Sequence, residues 1–384
     1  MLELKIKNRN VFVEDESTKT ILKNGFYGKE SNGLLQLSLE EALYLIDSRN
    51  AECKSSRGIV SFLDLASKYW KTPKFAARYF AYKDWRDRGL IAKEPGAEYK
   101  EPVESPIKKY PAQSLSLPEY HLHGVFFRSD LLSVVAEADA GKELYDKYWF
   151  GQYGAYKAED RGKLNKLDIY ETMYLIDKGI LSLSNVTRSE VLALATRRHP
   201  DFQSVYAVYS DWRDKGYVIK TGFKFGTNFR VYFPGARPSN GPSKDWMHSK
   251  HVIHVFPKNA RLLISEWARA IRVAHSVKKT FLLAVPGSPV RSSTKIDFVL
   301  YHRHGGEADN PSNSAPRFAM LALGEEEYLG GSDLAAAIAE ASKRKLELLL
   351  AIVDRETSVT YYTVRKILLP KSQHEYYEID WLQP

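Results

Sequence analysis

The chain has 384 residues and one cysteine, Cys53. No disulfide can form within it, so the expectation is a reducing, intracellular and cytoplasmic setting. No apolar run approaches the ~18–20 residues that cross a bilayer. The first residues, MLELKIKNRNVFVEDES, lack the apolar core of a signal peptide, and no membrane attachment is expected. Three glycine signatures are missing as well: the P-loop, the dinucleotide-binding G-x-G-x-x-G and the G-x-S-x-G elbow. Their absence argues against Walker-type nucleotide hydrolysis, dinucleotide redox chemistry and serine-elbow hydrolysis. His121 and His123, like His302 and His304, form short pairs without acids or cysteines at zinc-like spacing, so neither a metal nor a cofactor is expected.

Acids are scarce in one segment only. Between Gly216 and Lys279, twelve Lys and Arg face just Asp245 and Glu266, enough to account for the whole net charge of +9. From Ser288 to Pro384 the balance reverses, with 11 Lys and Arg against 14 Asp and Glu. A local basic field beside an acidic segment suggests a polyanion site in the first and a docking role for the second. A solvated basic face would produce the same count, so charge alone leaves nucleic acid undecided.

What the chain does contain is repetition. LSLEEALYLID (37–47) matches KLDIYETMYLID (166–177), and FAARYFAYKDWRDRGLIAK (75–93) matches FQSVYAVYSDWRDKGYVIK (202–220). GFYG (25–28) and GQYG (151–154) extend the match backwards. Each copy reads as two or three helices closed by a DWRD-x-G turn that enters a strand. A second repeat pairs FRVY (229–232) with FVLY (298–301), and the helix and strand after Ser265 with those after Ser332. Pro95, Pro102, Pro106 and Pro111 mark an extended linker, and PGSPVRSS (286–293) marks a second break. The expected layout is a degenerate N-terminal module over 1–93, a linker over 94–123, a helical module plus basic α/β module over 124–287, and an acidic α/β module over 288–384. The fold class is α+β, built from repeated modules.

Chemistry is expected in the basic segment. GYVIKTGFKFGTNFRVYFPG (216–235) reads as a β-hairpin in which Arg230 and Tyr232 alternate with apolar residues. His248 opens the strand MHSKHVIHVF. The helix from Ser265 to about Lys279 has an apolar stripe at Trp267, Ile271, Ala274 and Val277, and Arg272 and Lys279, two turns apart, are expected on one side of it. Tyrosine, histidine and lysine together suit RNA cleavage by a ribose 2′-OH: a tyrosine to take the 2′ proton if nearby cations lower its pKa, a histidine to protonate the 5′-oxygen, and a lysine to hold the charged phosphorane. Each alone has an ordinary structural role. In the acidic copy Lys279 becomes Leu346, Arg272 becomes Ala339 and His248 becomes Ala315, while Tyr301 stays opposite Tyr232. This asymmetry suggests one catalytic unit and one structural partner.

At these residues the sequence resembles the archaeal tRNA-splicing endonuclease family. DKGYVIKTGFKFGTNFRVY, HSKHVI, RAIRVAHSVKK and LAIVDRETSVTYYTVR are similar to its motifs. The resemblance implies metal-independent cleavage of precursor tRNA at bulge-helix-bulge junctions, leaving a 2′,3′-cyclic phosphate and a 5′-hydroxyl. It implies Tyr232 as general base, His248 as general acid and Lys279 as transition-state stabiliser, with Arg272 and Arg365 on RNA; the basic hairpin, with Lys224 and Arg230, reads as part of the same RNA-facing surface. It implies mixed-sheet nuclease modules beside mainly helical N-terminal ones. It further implies a three-unit homodimer in which the turn Asp354–Glu356 docks on the opposing chain. Two readings compete with it: a non-catalytic RNA-binding subunit, and a metal-dependent nuclease using acids near Asp297.

Overall fold

The duplicated segments fold as two copies of one module. In the first, α1 spans Glu16–Asn24, α2 Leu39–Ser48, α3 Phe62–Ala66 and α4 Phe75–Asp87; in the second, α5 spans Ala138–Tyr148, α6 Ile169–Asp177, α7 Arg188–Arg198 and α8 Phe202–Asp214. The computed structural model describes residues 2–384 apart from 8, 9, 104, 157, 241–244, 288–291, 293 and 305, so part of the PGSPVRSS break lies outside the described residues. Matching capping boxes start α2 and α6, Ser38 with Glu41 and Asp168 with Glu171, each satisfying two otherwise orphaned N–H groups. Around these helices sits more strand than the sequence pattern shows: a six-stranded sheet in the first module and a five-stranded one in the second. Their strands run two to six residues, and apolar residues such as Val125 and Phe127 occupy outward positions, so hydropathy does not alternate with burial.

The structure corrects one alignment. The cap of α5 places Trp149, Phe150 and Gly151 where α1 is followed by Phe26, Tyr27 and Gly28. Phe26 and Trp149 both take left-handed backbone. Arg86 stacks on Tyr27 at 4.0 Å and donates to the Gly25 carbonyl, while Arg213 stacks on Phe150 at 3.7 Å and donates to the Tyr148 carbonyl. GQYG is therefore not the counterpart of GFYG.

The main sheet has eleven strands: β1 Ala92–Lys93, β2 Lys108–Lys109, β3 Val218–Thr221, β4 Phe229–Tyr232, β5 His251–Val255, β6 Thr280–Ala284, β7 Phe298–Leu300, β8 Phe318–Gly324, β9 Glu347–Val353, β10 Val359–Leu368 and β11 Tyr376–Leu382. Their order is β3-β4-β5-β6-β11-β10-β9-β8-β7-β1, with β2 beside β10. Outward from the β10–β11 seam the halves match strand for strand. β5 and β6 are parallel, as are β8 and β9; every other neighbour along the main path is antiparallel. The chain is thus two pseudo-symmetric units. One joins the second N-terminal module to the basic segment. The other joins the first module, through β1, to the acidic segment. Helices α9 (Ile264–Ser276) and α10 (Gly331–Lys343) cover one face of both halves, with Trp267, Ile271, Leu334 and Ile338 in a shared core.

The DWRD motif fastens each module to its half of the sheet. Trp85 and Trp212 are fully buried. Asp84 accepts a hydrogen bond from Tyr361 of β10 at 2.7 Å, and Asp211 accepts one from Tyr376 of β11 at 2.6 Å. Asp87 and Asp214 accept from Tyr44 and Tyr174 inside their own modules. One tetrapeptide therefore binds helix to sheet and helix to helix. The extended segment between the modules is docked rather than free: Lys108 pairs with Glu378 at 2.9 Å, Tyr110 is buried against Trp212 and Phe233, and Tyr217 donates to the Pro111 carbonyl. Leu122, at its end, already lies in the second module's sheet.

Candidate active site

A cavity of about 440 Å³ opens where the second module meets β3 and β4, and its lining includes Arg230, Tyr232, His248, Ser249, Lys279 and Lys220. Tyr232 closes β4 and is buried, its ring 4.6 Å from Trp149 and its face 6.0 Å from the Arg230 guanidinium. His248 stands exposed just before β5. Lys279 is placed by the end of α9: Lys278 adopts left-handed backbone, and the Lys279 N–H closes back on the Ala274 carbonyl at 2.9 Å, a Schellman-type stop. The acidic half repeats this stop at Lys345 and Leu346, so the turn belongs to the fold and the ammonium is what the basic half adds. Ser249 links the set: the Lys279 ammonium donates to its carbonyl, and its side chain eases the Tyr232 phenol slightly downward against the larger effect of burial.

Tyr232, His248, Lys279 and Arg230 thus come together as the sequence reading expects. Arg272 does not join them. The helix ends at Ser276, so two-turn spacing never reaches Lys279. Arg272 lies instead in a separate cleft of about 700 Å³ at the seam between halves, with Arg88, His275, Tyr362 and Trp381. Lys224 is exposed near the cavity mouth, 5.7 Å above the ring of Tyr156. Arg365 is on the acidic half, bonded to Glu347 at 3.0 Å. Asp354 turns its carboxylate onto the N–H groups of Glu356 and Ser358 at 2.9 Å, which shapes the turn and leaves Glu356 exposed. Asp297 is occupied by Arg78 at 3.3 Å and the Ala322 N–H at 2.9 Å. Val277, expected on the buried stripe of α9, is exposed because it lies past the helix end.

The expected cause of phenol activation is not met. Burial pushes the Tyr232 hydroxyl up, and this outweighs the lowering pull of Arg230. Burial, with repulsion from Arg230, pulls the Lys279 ammonium down. As pH rises above neutrality, Lys279 therefore sheds its proton earlier than a free lysine, and Tyr232 ionises later than a free tyrosine. The expected result is a rate that falls along an alkaline limb as Lys279 loses its charge. Lys279→Arg, which stays protonated, moves that limb to higher pH while lowering the neutral-pH rate about tenfold. A kcat/KM profile from pH 6 to about 10.5 checks it; an unmoved limb overturns it.

Sequence reading missed the cavity floor. Lys220 is buried and donates to Glu171 at 2.6 Å and to the Gly151 carbonyl at 2.9 Å. Glu171 also accepts from the Gly151 N–H at 2.9 Å. Burial and then the Glu171 charge push the neighbouring Asp168 carboxyl well above the ordinary range. The sister unit repeats the linkage: Lys93 donates to the Phe26 and Gly28 carbonyls at 2.9 Å, and Glu41 accepts from the Gly28 N–H at 2.9 Å. The shared K after DWRD-x-G and the shared E of the capping boxes were the available signal.

Residues 202–291 match the tRNA intron endonuclease catalytic C-terminal domain, and residues 3–66 and 128–192 both match the tRNA intron endonuclease N-terminal domain. The protein is an enzyme of the tRNA intron endonuclease class. A tRNA-splicing endonuclease of Methanococcoides burtonii is 28% identical over 345 residues, covering 73% of this chain and 94% of that protein. Those of Methanopyrus kandleri and Pyrobaculum arsenaticum are 36% and 32% identical over 155 and 165 residues, covering 39% and 40% of this chain and 82% and 86% of those proteins. The chain belongs to the tRNA-splicing endonuclease family. Among the described residues no helix is long and apolar enough to cross a membrane.

Proposed function

We propose that the chain cuts cytoplasmic precursor tRNA at bulge-helix-bulge intron junctions without a metal, leaving a 2′,3′-cyclic phosphate and a 5′-hydroxyl. The observation that carries this reading is the convergence of Tyr232, His248 and Lys279 on one cavity beside Arg230, against a sister half with Tyr301, Ala315 and Leu346. The ribose 2′-oxygen attacks the adjacent phosphorus, and the bond from phosphorus to the 5′-oxygen breaks. Tyr232, held neutral by burial, takes the 2′ proton as it passes its own to a solvent water in the cavity. His248 gives a proton to the departing 5′-oxygen, and Lys279 with Arg230 holds the phosphorane charge. Lys224 and Arg272 grip the RNA backbone, with Arg365, half-exposed beside Glu347, as a further RNA contact.

Two copies pair through the acidic segment, the exposed Glu356 meeting the partner's basic surface. The test is cleavage of a bulge-helix-bulge RNA in EDTA, with end-group analysis and light scattering on the same preparation. Cyclic phosphate ends, EDTA resistance and a dimeric mass are expected. Cutting of a strand carrying 2′-deoxyribose at the junction would sink 2′-OH attack, and a monomeric mass would remove the pairing.

A further inference from the structure

Phe223 is the most exposed aromatic side chain near the cavity, at 86% of its full surface. Single exposed apolar residues are common on protein surfaces; this one differs in how it is held. Phe223–Phe225 form a 3₁₀ turn between β3 and β4. The turn is closed by the Phe225 N–H to the Gly222 carbonyl at 2.8 Å and by Gly226 in left-handed backbone. A Cβ on Gly222 would come within 2.4 Å of the Thr227 hydroxyl and 2.7 Å of its carbonyl, so the turn is tightly packed from behind. Its three side chains then diverge. Phe225 packs against the core with Lys279 5.2 Å over its ring. Lys224 reaches over Tyr156, which also lines the cavity. Phe223 presents its ring to solvent between two residues, Thr221 and Phe225, that line the cavity.

We infer that Phe223 is a stacking platform for an unpaired base next to the cleaved phosphate, with Lys224 on the adjoining phosphate. This inference rests on the RNA-cleavage reading above. A bulged nucleotide must leave its helical stack to place its 2′-oxygen in line, and a preset aromatic face beside a cation is how proteins receive such a base without reading its identity. The ring is poised on a short turn rather than on a flexible loop, so little order is lost on binding. Phe223 acts by positioning and touches no reacting atom.

The test uses a bulge-helix-bulge RNA with 2-aminopurine at each bulge position in turn. Wild type should cut it, and the uncut complex with His248→Ala should quench the probe at one position. Phe223→Ala should raise KM about tenfold with kcat within about twofold, abolish that quench in the His248→Ala background, and leave the melting temperature unchanged. Phe223→Trp should restore both KM and quench. Unchanged KM and quench in Phe223→Ala would overturn the platform while leaving the endonuclease reading intact. If wild type leaves the RNA whole, the endonuclease reading fails and the platform fails with it.

Discussion

His248→Ala is expected to lower the cleavage rate by about 10²–10⁴-fold, the range for loss of a positioned general acid, with no change in melting temperature because the side chain is exposed. Lys279→Ala should cost about 10²–10³-fold through lost stabilisation of the phosphorane, and Tyr232→Phe about 10²-fold. Paired losses should fall short of the product of the single ones, since groups serving one transition state are not additive. Rescue by a better leaving group separates the roles. With sulfur replacing the bridging 5′-oxygen, the departing thiolate needs no proton. His248→Ala should then recover to within about tenfold of wild type, and Lys279→Ala should not. Single-turnover cleavage of both RNAs reads this directly. Full activity in all three single variants would remove Tyr232, His248 and Lys279 from the reaction and place the chemistry on other groups, and equal rescue of the histidine and lysine variants would remove His248 as the acid.

How much of this was legible without coordinates depends on how local each signal is. Tyr232, His248 and Lys279 sit on or beside strands and a helix end whose patterns are strong, and their loss in the sister copy is visible in the letters alone. Arg272 misled because helical spacing was extended past the point where Lys278 turns left-handed. The DWRD repeat announced duplication but not its use. That Asp84 and Asp211 fasten to tyrosines of β10 and β11 is long-range pairing that no local pattern encodes. The same holds for the seam itself: β11, the last strand of the chain, completes the basic half by pairing with β6, so the two units cross over in sequence. The small sheets of the N-terminal modules stayed hidden because their burial alternates while their hydropathy does not: in the strand Leu122–Phe127 the outward positions include the apolar Val125 and Phe127.

The largest effect on stability is expected at the cavity floor. Glu171→Ala would leave the Lys220 ammonium buried against the Gly151 carbonyl with its carboxylate gone. Breaking one side of a buried pair costs about 3–5 kcal/mol, and the Gly151 and Asp168 N–H groups would lose their acceptor too. The double variant Lys220→Met with Glu171→Gln should recover most of that loss, because it removes the stranded charge and keeps an oxygen for the Gly151 N–H. Urea midpoints of the variants measure both. Glu41→Ala in the sister unit should cost less: its lysine lies 4.0 Å away and leans on two carbonyls at 2.9 Å. The comparison also decides whether a lysine and two acids in the catalytic cavity do chemistry. The same lysine–glutamate–glycine linkage persists in a half that lacks His248 and Lys279, which marks it as the lock between an N-terminal module and the strand entering its sheet. The stable double variant should therefore cleave within about tenfold of wild type. A double variant that is stable yet slower by more than about 10³-fold would place Lys220 or Glu171 in the reaction itself, and an unchanged urea midpoint for Glu171→Ala would remove the lock.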